Sequence, residues 1–199
     1  MQCLQKIILD EVDSLGMLCS YDGGKDMELW DAYDVSFNKI EGITLVRGEE
    51  STFHDDIFHL VCDILVKHVD GTYLLMKRDP RKHYGGMWEA TAGGSALKGE
   101  TPVECARREL EEETGIIASE LTEVGRMVDK STHCIYFEYL CVTDWQKDTI
   151  RLQEGETIAY KWITNNELIA MKEDELVTHR IQKFVEDLKR RKKDSLEYV

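Results

Sequence analysis

The chain has no long apolar stretch: its hydrophobic runs are interrupted within a few residues, too soon for a membrane-crossing helix. It also has no surplus of base. Lysine and arginine number 25 against 39 aspartates and glutamates, a formal charge of −14. It therefore lacks the positive stripe that duplex or single-stranded nucleic acid requires, and it would repel a long polyanion. A small phosphorylated metabolite that brings its own cations is the easier ligand, and capped RNA is disfavoured. The six cysteines, at positions 3, 19, 62, 105, 134 and 141, form no Cys-x-x-Cys pair and no zinc spacing. With no apolar signal segment at the start, they read as free thiols of a reducing cytoplasm. Nor is there an internal repeat or a low-complexity linker. The six histidines are scattered, and His83 and His133 read as surface or internally satisfied side chains rather than ligands. The 199 residues, 42% hydrophobic and 32% charged, suit one domain with additions.

What the chain does have is concentrated between Gly94 and Ile116. Thr101, Pro102 and Glu104 read as N-cap, N1 and N3 of a helix, a capping box with proline where its missing N–H costs nothing. Gly115 supplies the left-handed residue after the last turn. Between these ends Val103, Ala106, Leu110 and the Thr114 methyl form a narrow apolar stripe that must face a core. Glu109, Glu112 and Glu113 are related as i, i+3 and i+4, so their carboxylates share one face, whereas Glu111 points elsewhere. Three carboxylates held so close repel one another and raise one another's pKa. A hard cation reverses that sign, and oxygen ligands of this kind suit Mg²⁺ or Mn²⁺. Taken alone, a Glu-rich run is most often a solvated face. It is the glycine loop and the caps in register that argue for a site.

Farther out, residues 4–15 place Leu4, Ile7, Ile8, Val12 and Leu15 at helical spacing, giving either a short amphipathic helix over residues 1–27 or a frayed leader. Such a helix packs on the body or on a second subunit, so a homodimer is among the partners expected. Residues 28–34 and 42–46 read as a β-hairpin, 58–66 as a buried strand, and 73–77 as the strand that follows a turn at Gly71. Residues 87–92, bracketed by glycine pairs, read as a segment poised to enter the site. Strands are expected at 124–128, 134–142 and 158–162, and helices at 167–171 and 175–191. Val177, Ile181, Phe184, Val185 and Leu188 form the buried face of the last helix. Strands interspersed with crossover helices give an α/β (α+β) fold, a mixed sheet sandwiched between helices.

The segment 94–116 matches at every defined position the 23-residue Nudix box: Gly, five residues, Glu, seven residues, Arg-Glu-apolar-x-Glu-Glu-x-Gly-apolar. Seven fixed identities and two apolar positions arise by chance in roughly one window in 10⁸ or fewer. The chain thus resembles the Nudix hydrolases. The resemblance implies an α/β/α sandwich with residues 28–199 as the Nudix domain, the hairpin within 28–50, and residues 1–27 as an N-terminal extension. It also implies Glu109, Glu112, Glu113 and the Gly94 carbonyl as ligands of Mg²⁺ or Mn²⁺. Arg108 is then an orienting residue paired with Glu100 or another box carboxylate. Glu109 is one candidate for the general base; Glu154 or Glu156, just before a strand, is the other.

The flanking segments 28–34, 46–49, 58–61, 74–78 and 86–89 look like the Nudix branch related to isopentenyl-diphosphate isomerase. In that enzyme a catalytic cysteine follows the tryptophan of the Gly-x-Trp segment by five residues, and here the position holds Gly93. Without a thiol there, an alkene has no evident acid or base. The expected activity is hydrolysis of the diphosphate linkage in a nucleoside diphosphate joined to another moiety. Isomerase-like chemistry and a non-catalytic nucleotide-binding module are the alternatives. Lys77 and Arg78, at a strand end, are either phosphate ligands or ordinary surface charges. Trp88 either stacks on a nucleobase or packs in a core.

Overall fold

The computed structural model describes residues 27–177 and 181–187. The expected N-terminal helix, Cys3, Cys19 and Leu188 lie outside the described residues.

Strand β1 (Leu29–Tyr33) pairs antiparallel with β2 (Lys39–Val46). The turn between them is tied by Asp34, whose Oδ1 accepts from the amides of Ser36 at 2.8 Å and Asn38 at 2.9 Å. The main sheet is built on β3 (His59–His68), which runs parallel to β8 (Cys134–Thr143) on one side and antiparallel to β6 (Thr91–Ser95) on the other. Strand β4 (Tyr73–Arg78) carries β5 (Trp88–Glu89) and β9 (Thr157–Ile163), and β7 (Thr122–Asp129) closes the far edge beside β8.

Alternation along the strands fills two layers. Cys62, Ile64 and Val66 of β3 and Leu74 and Met76 of β4 join the core under helix α1 (Pro102–Thr114), with Ala106, Leu110 and Ile116. Leu65, Tyr73, Leu75 and Ala90 join the opposite core with Leu168 of helix α2 (Asn165–Ala170) and Ile181 and Val185 of a last helical stretch, 181–187. The result is the mixed sheet between helices that the sequence predicts. Cys62, Cys105, Cys134 and Cys141 are free and buried. Among the described residues no helix is long and apolar enough to cross a membrane.

Two elements differ from the expectation. Helix α2 starts at Asn165 rather than 167, because Thr164 and Glu167 make a second capping box. The closing helix expected over 175–191 starts later. The Trp88 amide donates to the Glu175 carbonyl at 2.8 Å and the Val177 amide to the Trp88 carbonyl at 2.9 Å. Residues 175–177 therefore cover the open edge of β5, whose backbone groups would otherwise lack partners.

The hairpin is a third, small core of Trp30, Ala32 and Leu45. It is joined to β3 by reciprocal amide–carbonyl bonds between Tyr33 and Phe58, at 2.8 and 3.0 Å. The Trp30 ring stacks on His59 with centroids 4.1 Å apart. Burial lowers the His59 pKa from 6.5 to about 4. The unfolded chain therefore takes up this proton first as pH falls. The stabilisation is complete above pH 6.5 and is lost on descent toward pH 4, by about 3 kcal/mol at most. Urea unfolding at pH 7.5 and pH 4.5 should show a larger loss for the wild type than for His59→Phe, which keeps the ring stack. Equal losses would mean that His59 is charged in the folded protein.

Candidate active site

Both ends of α1 are fixed by local chemistry. Thr101 Oγ1 accepts from the Glu104 amide while Glu104 accepts from the Thr101 amide, Pro102 opens the first turn, and Gly115 takes φ 76°. Ala106, Leu110 and Thr114 are fully buried, which turns the carboxylate face toward β6.

The approach there is very close. A Cβ added to Gly94 would stand 2.5 Å from Glu109 Oε1, and one added to Gly93 would stand 2.1 Å from the Cys62 carbonyl oxygen. Glycine at 93 lets β6 lie this close to β3, and glycine at 94 leaves the space into which α1 directs the Glu109 carboxylate. The Gly93 amide points at Glu113 Oε2, 3.3 Å away, and the Cys105 thiol donates to the Gly94 carbonyl at 3.6 Å.

Arg108 ties the helix to the loop before it. Its Nε and Nη2 donate to the two Glu100 oxygens at 2.7 and 2.8 Å, Nη2 also to the Ser95 carbonyl at 3.1 Å, and Nη1 to Glu109 at 2.7 Å and Glu112 at 3.3 Å. This is a charge-assisted fork with every arm engaged. Burial works against the Glu100 carboxylate, but Arg108 and the Leu97 amide outweigh it and hold its pKa below the ordinary value.

The carboxylates nearer the sheet behave differently. Burial raises the Glu109 pKa despite Arg108. Burial, with Glu89 and Glu109 as like-charged neighbours, raises that of Glu113 far more. Glu89, half-buried and ion-paired with Arg78, is also raised by desolvation. Glu156, held by Lys82, adds to the field at Glu89 and Glu113. From the hairpin, Arg47 lies within electrostatic reach of Glu109 and Glu156.

Of the residues the sequence singles out, Gly94, Arg108, Glu109, Glu112, Glu113 and Glu156 therefore converge. Lys77, Trp88 and Glu154 do not. Trp88 and Ala90 pack into the core under α2, so Glu89 between them faces the α1 side. Lys77 lies over the Trp88 ring, 5.7 Å from its centroid, and Lys161 lies closer, at 4.1 Å. Trp88 is half-buried against this core and flanked by cations. Arg78 faces Glu89 and the His83 carbonyl. Glu154 is exposed. Glu111, expected to point away, lines a cleft of about 600 Å³ together with Arg108, Glu112, Arg151 and Leu152. Glu89 is the residue that sequence reasoning missed. The available signal was its place between two apolar residues in an alternating segment.

A NUDIX domain profile matches residues 58–188. The chain belongs to the Nudix family. Its activity class is hydrolysis of pyrophosphate-containing compounds. The uncharacterised Nudix hydrolase lmo0368 of Listeria monocytogenes is 32% identical over 150 residues, 73% of this chain and 85% of that protein. The uncharacterised Nudix hydrolase YfcD of Escherichia coli K12 is 34% identical over 115 residues, 56% of this chain and 62% of that protein. Among solved structures, DR0079 of Deinococcus radiodurans superposes with a TM-score of 0.64 at 17% identity, over 80% of this chain and 98% of that one. The Nudix domain of Shewanella oneidensis NrtR, complexed with ADP-ribose, gives a TM-score of 0.54 at 16% identity, over 74% and 99% of the two chains. These two likenesses concern the fold.

The two glycines of this Nudix chain should respond differently to a single methyl. Gly93→Ala meets backbone that cannot step aside and should lower stability by about 1–3 kcal/mol in urea titration. Gly94→Ala meets the mobile end of Glu109 and should lose less stability while losing most of the activity. A Gly93→Ala protein as stable as the wild type would show that the strand and its neighbour are not in this close contact.

Proposed function

We propose that the chain hydrolyses the diphosphate linkage of a nucleoside diphosphate joined to another moiety, with Mg²⁺ or Mn²⁺, through residues 28–199. The observation that carries this reading is the state of Glu113. It is a half-buried carboxylate in the field of Glu89 and Glu109, and what meets it is an amide 3.3 Å away rather than a cation.

Among the described residues no three carboxylate, imidazole or thiol groups are gathered as a closed ligand set. The donors at hand are nonetheless hard oxygens: Glu109, Glu112, Glu113 and the Gly94 carbonyl. That chemistry fits Mg²⁺ or Mn²⁺, and these groups would hold it. Bound there, a divalent cation polarises the phosphoryl group and lowers the pKa of the attacking water. The chain's own residues do the rest. Glu109, whose raised pKa suits a proton acceptor, takes the proton of that water. Glu156 is the second candidate for this role. Arg108 keeps Glu109 and Glu112 on one face, and Glu89, steadied by Arg78, maintains the negative field behind Glu113.

The flanking segments support kinship with the isopentenyl-diphosphate isomerase branch, but isomerase chemistry is disfavoured. Any side chain at position 93 would strike the Cys62 carbonyl, so the backbone has no room for the thiol that chemistry uses.

Cleavage should be assayed by separating the monophosphate products formed from nucleotide sugars, dinucleotide cofactors, coenzyme A and ADP-ribose, and by phosphate release from isopentenyl diphosphate. EDTA should abolish turnover and excess Mg²⁺ restore it. Glu112→Gln and Glu113→Gln should each lower the rate by at least about tenfold to a hundredfold. Unchanged rates in both variants would remove the proposal, and isomerised isopentenyl diphosphate without phosphate release would favour the rival.

A further inference from the structure

The cleft beside α1 contains two cations, Arg108 and Arg151. Arg108 is fully occupied by Glu100, Glu109, Glu112 and the Ser95 carbonyl. The Arg151 guanidinium, by contrast, makes no ion pair or side-chain hydrogen bond among the described residues, although Glu111 and Glu112 line the same cleft.

Arg151 is also held in place. Its amide donates to the Thr114 carbonyl at 2.9 Å, at the last turn of α1. Its stem lies flat on Gly115: a Cβ there would be 2.6 Å from Arg151 Nε, 3.3 Å from Cβ and 3.4 Å from Cγ. The missing side chain at Gly115 thus serves the helix cap and opens the path of the arginine stem. A guanidinium with its stem set and its donors open is prepared for an oxyanion, because little freedom remains to be lost on binding.

The ligand is constrained by charge. The end of α1 and the carboxylates of Glu111 and Glu112 repel an anion entering the cleft. A substrate with two linked phosphates needs a cation on that side to offset them, and Arg108 has no donor left to give.

We propose that Arg151 is a specificity-determining residue: it grips, through a bidentate contact, the phosphate of a diphosphate substrate that lies away from Glu109 and Glu113, and so favours diphosphates over phosphodiesters with one charge. The proposal rests on the hydrolytic reading of this site.

Two measurements separate the two ideas. In the first, KM and kcat of the wild type, Arg151→Ala and Arg151→Lys are compared on whichever diphosphate of the panel is turned over, and on bis(p-nitrophenyl) phosphate. In the second, inorganic pyrophosphate is titrated calorimetrically into each protein with Mg²⁺ present. Arg151→Ala should raise KM for the diphosphate about tenfold or more, lower kcat much less, and weaken pyrophosphate binding by a similar factor. The thermal midpoint should hold. Arg151→Lys should fall between, since a point charge replaces a fork. The diester should be nearly indifferent to either change.

Unchanged KM and unchanged pyrophosphate affinity in Arg151→Ala would overturn the assignment, as would a wild type that binds no pyrophosphate. A wild type that binds pyrophosphate through Arg151 but hydrolyses nothing in the panel would instead sink the hydrolytic reading and leave the anion contact standing.

Discussion

The site depends on how closely a strand can pass beneath a helix. Pairing of β6 with β3 sets Gly93 opposite Asp63 and Gly94 opposite Cys62; β3 leaves no room for a side chain at Gly93, and the Glu109 carboxylate of α1 occupies the space that one at Gly94 would take. That proximity brings the Gly93 amide to Glu113 and the Cys105 thiol to the Gly94 carbonyl. The rest of the scaffold keeps the approach from relaxing. The apolar stripe of α1 buries Ala106 and Leu110 against the sheet, Arg108 binds the helix to the Glu100 loop, and the Arg151 amide holds its last turn. Withdrawing the helix would expose that apolar stripe and break a partly buried ion-pair network at once.

Charge balance is the reason this arrangement would suit a cation. The carboxylates around Glu113 already have a basic partner: Glu89 has Arg78, Glu156 has Lys82, and Arg108 serves Glu100, Glu109 and Glu112 together. Glu113 faces the field of Glu89, Glu109 and Glu156 with an amide. The imbalance is therefore local, and it falls where the sheet, the helix and the glycine backbone meet. An acidic face spread over solvent would not produce it, because water screens exposed charges and leaves their pKa values near the ordinary range.

The helix and its carboxylates were legible in the sequence because every signal for them is local: capping residues three apart, a glycine one position past the last turn, and a stripe at helical period. Glu89 was not, since what makes it part of the site is Glu113, a neighbour in space but distant in sequence. The alternation that buries Trp88 and Ala90 on one face could have given its direction, but not its partner. The same limit applies to Lys77 and Trp88, whose place at a strand end is compatible with either face until the cores are known. Residues 175–177 carry a helical pattern of apolar positions, yet the open edge at Trp88 claims them as a strand-like cover. Tertiary demand for backbone partners outweighs a short stretch of periodicity.

The hairpin has a different standing. The family profile begins at residue 58, so β1 and β2 lie outside the shared core, but they are not an appendage. The Lys98 amide donates to the Leu29 carbonyl and the Gly99 amide to Asp31 Oδ2, each at 2.8 Å. Asp31 is in turn held by Lys39 at 2.9 Å. The loop that leads from Gly94 into α1 is thus braced from the hairpin side, while Arg108 braces it from the helix side. Arg47, at the hairpin's end and paired with Glu28, brings positive charge within reach of Glu109 and Glu156. Under the proposed function, the carboxylate face of α1 would fix where a phosphoryl group reacts. What surrounds that group would then be set by elements around the box, the hairpin on one side and the loop carrying Arg151 on the other, whose side chains can vary as long as the backbone contacts at Lys98, Gly99 and Arg151 keep α1 in place.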